Sequence, residues 1–222
     1  MAAMSALATP PTRPISAQAL ACRRGDRVLF EGLDFTMAPG SIVWLRGNNG
    51  RGKTSLLRLL SGLATPESGT LRWGHDRLLR GEESFQQQLL YLAHANALKD
   101  DLSVIEALGF LARLHGQAAD DASLEGALKV MAMASRRGAP VRTLSQGQRR
   151  RVALARLALA PRKPLWLLDE PYDALDATGC AVVDGLLSAH ALQGGIVVLT
   201  SHLPLTIGAP VPVELHLHGD LN

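Results

Sequence analysis

The chain is poor in cysteine, lysine, aromatic side chains and long apolar runs, and each shortage narrows what it can be. Its two cysteines, Cys22 and Cys180, stand far apart, which suggests neither a disulfide framework nor a cysteine-based metal site and fits a reducing compartment. Aromatics make up 4% of the residues, too few to interleave with basic side chains into a nucleic-acid surface. Direct nucleic-acid binding is therefore not expected. No apolar run approaches the roughly 18–20 residues needed to cross a bilayer. Met1–Pro14 is rich in Ala, Pro and Thr and lacks the charged start and apolar core of a secretory signal, so it reads as a flexible tail. Four lysines stand against nineteen arginines, and the net charge of +3 is a mild basic excess. The one basic cluster, Arg149-Arg150-Arg151, reads as a solvated helix face, as short charge runs usually are.

What is present is a core and a set of strand-tip motifs. A chain of 222 residues, 47% of them hydrophobic, can bury one substantial core. Gly47-Asn48-Asn49-Gly50-Arg51-Gly52-Lys53-Thr54 fits the P-loop pattern G-x-x-x-x-G-K-[ST]. Its glycines let successive backbone N–H groups converge on phosphate oxygens, and the following helix aims its positive dipole end at the same anion. In that role Lys53 bridges the outer phosphates and Thr54, beside Ser55, holds Mg²⁺. The motif leaves the apolar run Ile42–Leu45 and enters a leucine-rich helix, Leu56 to Leu63, so a nucleotide with Mg²⁺ is the expected ligand.

Two more runs, Leu165–Leu168 and Ile196–Thr200, are short and continuously apolar, as buried parallel strands are. They end in Asp169-Glu170 and Ser201-His202. Open α/β sheets bind ligands beyond the carboxyl ends of their strands, so three strands delivering polar groups to one edge describe an active site. Asp169 at a strand tip can hold Mg²⁺, Glu170 can deprotonate the attacking water, and His202 can reach a terminal phosphate. Alone, each has an ordinary alternative: Asp-Glu-Pro can simply end a strand, and Asp176 can simply cap a helix.

Elsewhere, Gly25-Asp26 marks a hairpin between Ala19–Cys22 and Val28–Phe30. Ser103 and Glu106 form a capping box opening one helix, and a second amphipathic helix is expected from Ser123, with Leu124, Leu128 and Met131 on one stripe. This middle region reads as an inserted helical subdomain, approximately residues 98–160. Ser145 and Gln148 make another capping box before a helix Arg149–Ala160. The same helix start could offer Ser145 and the Gly147 N–H to a phosphate.

In this order the motifs resemble the ATP-binding-cassette ATPases over roughly Ile15 to Leu217, and residues 15–222 are expected to form one such domain. The resemblance implies a P-loop α/β core with a mostly parallel sheet and an N-terminal antiparallel β subdomain. It also implies a composite site in which two cassettes pair head to tail. Each ATP then lies between Lys53, Thr54, Asp169, Glu170 and His202 of one chain and Ser145, Gly147 and Gln148 of the other. Within the family the chain is most similar to the ATP-binding subunits of the haem exporters of cytochrome c maturation. The residues carrying that similarity include Asn48-Asn49, Tyr91-Leu92-Ala93-His94 and Tyr172-Asp173-Ala174-Leu175-Asp176.

That similarity implies a homodimer, or pairing with a second cassette, peripheral on the cytoplasmic side of the inner membrane, with integral membrane partners that handle the haem. Three departures stand out. Gln146 replaces a signature glycine, His94 stands where most cassettes place glutamine, and Cys22-Arg23-Arg24 lacks the adenine-stacking aromatic, leaving Arg24 to stack through its guanidinium. Another exporter's ATPase subunit, or a soluble cassette ATPase acting on DNA or the ribosome, is the competing reading. The latter usually brings coiled-coil insertions or a second cassette.

Overall fold

The computed structural model describes residues 12–117, 119–161 and 163–217. Of the tail expected over residues 1–14, residues 1–11 lie outside the described ones, while Arg13 Nη1 bonds Asp76 Oδ2 at 2.7 Å. The chain then forms the hairpin β1 (Ile15–Arg24) and β2 (Arg27–Met37). Arg24 pairs with Arg27, so Gly25-Asp26 is the turn. Both strands run longer than the apolar segments suggested, because register shifts interrupt the pairing without ending it.

The P-loop strand β3 (Ile42–Arg46) feeds helix α1 (Lys53–Leu60). Next come β4 (Ser68–Trp73), β5 (Asp76–Arg77), the short α2 (Glu83–Gln86) and β6 (Leu89–Leu92). Helices α3 (Val104–Leu114), α4 (Asp121–Val130), α5 (Gln146–Leu154) and α6 (Arg156–Leu159) precede β7 (Leu165–Leu168). The last elements are α7 (Ala177–Leu192), β8 (Ile196–Thr200) and β9 (Val213–His216).

Strands β2-β1-β4-β5 form an antiparallel sheet, and β6-β7-β8-β3-β9 a parallel one. The α/β architecture expected from the sequence is thus the one observed. Side-chain alternation divides the core around the parallel sheet. Leu165, Leu167, Ile196 and Val198 face α1 and the antiparallel sheet. Trp166, Leu168, Val197 and Leu199 face the helices from α3 to α7. Being buried on both faces is why these strands read as unbroken apolar runs.

Two helix starts differ from expectation. Helix α4 begins at Asp121 because Asp120 caps it, accepting from Ser123 N at 2.9 Å; Ser123 is the N3 residue. The helix expected over Arg149–Ala160 starts three residues earlier and divides at Ala155, where Ala158 N bonds Ala155 O three residues back. The capping boxes at Ser103 and Ser145 are both present.

Candidate functional site

The carboxyl ends of β3, β7 and β8 meet at one cavity of about 410 Å³. It is lined by Asn49, Gly50, Gly52, Lys53, Thr54, Ser55, His94, Asp169, Glu170 and His202, together with Arg24 and Asp173. Gly47, Asn48 and Arg51 border an adjoining cavity, which Lys53 and His202 share with Arg46 and His216. The sequence singled out most of this set, and the fold brings it together.

The loop geometry follows from its residue types. Gly52 has φ 96°, and a Cβ there would lie 3.0 Å from Leu29 Cβ, so only glycine lets the loop pack on β2 and turn into α1. The Lys53 ammonium donates to Gly47 O at 2.6 Å and Asn48 O at 3.4 Å. Thr54 Oγ1 donates to Asp169 Oδ2 at 2.9 Å, joining α1 to the tip of β7. These are two adjacent hard oxygens, fit for Mg²⁺.

Glu170 is held from several sides. Its N–H donates to Thr200 Oγ1 at 2.8 Å, and Thr200 Oγ1 donates to Asp169 Oδ1 at 2.9 Å. Its carboxylate accepts from His202 N at 3.0 Å and lies 3.5 Å from His202 Nε2. Its backbone has φ 49°, a left-handed conformation that a non-glycine residue adopts only under constraint. The side chain of Glu170 is 11% exposed and that of His202 58%, so a shielded carboxylate sits beside an accessible imidazole. His94 Nδ1 lies 3.5 Å from Asp173 Oδ2 across the cavity mouth.

Ser145, Gly147 and Gln148 line neither cavity; they form the start of α5. There Gln148 N donates to Ser145 Oγ at 3.2 Å and Ser145 N to Gln148 Oε1 at 3.0 Å. A Cβ on Gly147 would come within 2.5 Å of Ala174 O, so glycine is required here by packing within the chain. Asp176 caps α7 by accepting from Gly179 N at 2.8 Å, and it pairs with Arg151.

The arginine cluster is not a solvated face. Arg149 pairs with Asp100 and Arg151 with Asp176, while Arg150 is 3% exposed beneath Asp169 and Glu170. Thr200, Asp173 and Arg150 are the residues that sequence reasoning left out of the site. For Thr200 a signal existed, a polar residue closing an apolar strand just before Ser201-His202. For Arg150 none did, since a run of three arginines does not say which one points inward.

A family model described as ABC transporter matches residues 30–173. The chain belongs to the ABC transporter family. As an ABC-type ATPase it has curated relatives called "Cytochrome c biogenesis ATP-binding export protein CcmA". The one from Aromatoleum aromaticum is 47% identical over 194 residues, 87% of this chain and 91% of the relative. That from Vibrio cholerae is 44% identical over 197 residues, 89% and 94% of the two chains.

Among solved structures, a putative ABC transporter ATP-binding protein from Pyrococcus furiosus superposes with a TM-score of 0.76 at 24% identity, covering 91% of this chain and 97% of that one. The ATP-binding cassette MJ0796, a dimer in a post-hydrolysis state with ADP and Pi, gives 0.73 at 20% identity over 85% and 88%. Both establish the fold.

Proposed function

We propose that this chain is the ATP-hydrolysing subunit of a membrane transport complex that serves haem export in cytochrome c biogenesis. The observation that carries the reading is the high identity to cytochrome c biogenesis export proteins across most of the chain, in a protein whose Lys53, Thr54, Asp169 and Glu170 all meet at one cavity. In this reading the P-loop backbone and Lys53 hold the phosphates of ATP. Thr54 and Asp169 hold Mg²⁺, which when bound neutralises charge on the transferred phosphoryl group. Glu170 accepts a proton from the attacking water, with the His202 N–H fixing one carboxylate oxygen and its ring facing the other. Arg24, on the cavity wall, stacks on the base through its guanidinium plane.

Ser145, Gly147 and Gln148 lie away from the cavity of their own chain, which supports their serving a partner's nucleotide in a two-fold dimer. Among the described residues no helix is long and apolar enough to cross a membrane. In this reading the subunit acts from the cytoplasmic face of the inner membrane, through integral membrane partners that bind the haem. Residues 15–222 form one cassette in this reading, with the helices within about 98–160 as its docking part. Glu170→Gln keeps shape and hydrogen bonding but removes basicity. With ATP and Mg²⁺ this variant is expected to double in mass by light scattering, because nucleotide is shared across the interface, and to hydrolyse almost none of it. An unchanged mass contradicts the composite site, and wild-type turnover contradicts the role given to Glu170.

A further inference from the structure

We propose that Arg150 is a positioning residue: its guanidinium fixes the backbone at Glu170 and ties it, together with the His94 loop, to the helix that begins at Ser145. The proposal rests on the ATPase reading above. Arg150 Nη2 donates to Asp169 O at 2.9 Å and Glu170 O at 2.7 Å. Nη1 donates to Ala93 O at 3.2 Å, His94 O at 3.4 Å and Asn96 Oδ1 at 3.1 Å, and Nε to Pro171 O at 3.4 Å. A single buried side chain thus gathers the backbone leaving two adjacent strands, β6 and β7. These are the segments that deliver His94 and the Asp169-Glu170 pair.

Arginine is the residue suited to this place. Its donors lie in a rigid planar fork that reaches acceptors on both strand ends at once, whereas a lysine ammonium presents three donors from one point. Burial lowers the Arg150 pKa, while the charges of Asp173, Asp169 and Glu170 act to raise it. The left-handed Glu170 backbone supplies the need: such a conformation persists only where its surroundings over-determine it. Here the Glu170 N–H is held by Thr200 and its carbonyl by Arg150, so the peptide groups on both sides of the residue are pinned.

Arg150 also lies only five residues beyond Ser145 on the same short helix. Two further contacts join α5 to the segment after β7: Arg151 with Asp176, and Gly147 packed against Ala174 O. A shift of α5 when Ser145 engages a partner's nucleotide is therefore felt at the chain's own Glu170. Nucleotide sensing at one site and the geometry of the base at the other share one rigid connection.

The test is steady-state hydrolysis by the full chain in its native complex, with Arg150→Lys and Arg150→Met beside the wild type. Both variants are expected to keep KM and nucleotide affinity within about threefold while kcat falls about tenfold or more, the signature of an interaction that matters in the transition state. The lysine variant should retain more activity than the methionine one. Circular dichroism verifies folding, and if Arg150→Met does not fold, Arg150→Lys decides. A folded Arg150→Lys with kcat within twofold of wild type overturns the proposal. So does a loss of kcat matched by an equal loss of nucleotide affinity. If the wild-type complex hydrolyses no ATP and Lys53→Ala changes nothing, the ATPase reading itself fails, and this proposal falls with it.

Discussion

Thr200 shows how much of the site rests on one hydroxyl. It is fully buried, donates to Asp169 Oδ1 and accepts from Glu170 N, so it aligns the Asp169 carboxylate with the Glu170 backbone. Thr200→Val preserves volume and removes both bonds. A buried N–H and a carboxylate oxygen would then lack a partner, at a cost of about 1–3 kcal/mol. Urea denaturation should show that loss, together with lower turnover at near-normal nucleotide affinity. A stability within about 0.5 kcal/mol of wild type would contradict the bonding described. At this scale the sequence was most informative where a residue type and its spacing have few other uses. Lys53, Thr54 and the Asp169-Glu170 pair were legible for that reason. Arg150 was not, because its acceptors lie about twenty and fifty-five residues away and only the fold brings them together.

Among the elements, the contact between α7 and β7 carries a testable pH response. The His190 ring stacks on Trp166 at 3.8 Å between centroids, is 5% exposed, and its Nε2 has no hydrogen-bond partner among the described residues. Burial depresses its pKa to about 4, against a smaller opposing effect of its bond to the Pro164 backbone. The folded state therefore resists protonation that the unfolded chain accepts near its ordinary value of about 6.5. Stability is unaffected above that value, falls as pH drops from about 6.5 towards about 4, and loses up to about 3 kcal/mol from this group. His190→Phe, which keeps a ring on Trp166, should flatten that part of the stability profile. An unchanged slope between pH 6.5 and 4 would count against a buried neutral imidazole.

The legibility of the elements followed their burial. Strands β3, β7 and β8 lie inside the parallel sheet and read as continuous apolar runs. Strand β9, Val213-Glu214-Leu215-His216, sits at the sheet edge and is largely exposed, so it carries no continuous apolar run to mark it. Strand β6 is only four residues long, and its apolar residues do not stand out as a strand in the sequence. The capping boxes at Ser103 and Ser145 were readable because cap chemistry is local. The division at Ala155 was not, since no proline or glycine marks it.

The molecule as a whole has the character of half a machine. Its P-loop cavity gathers the groups proposed to hold and hydrolyse a nucleotide, while Ser145, Gly147 and Gln148 stand at a separate helix start. The arginines of α5 connect the two. The central claim is that nucleotide turnover at this cavity powers haem export for cytochrome c assembly, and the most direct measurement is covalently bound haem in c-type cytochromes. A strain lacking the gene should have lost holo-cytochromes c while keeping b-type cytochromes and haem synthesis. The wild-type gene should restore them, and Lys53→Ala, accumulating at the same level, should not. Normal c-type cytochromes in the deletion strain, with no second copy of the gene, or full rescue by Lys53→Ala, would contradict the account.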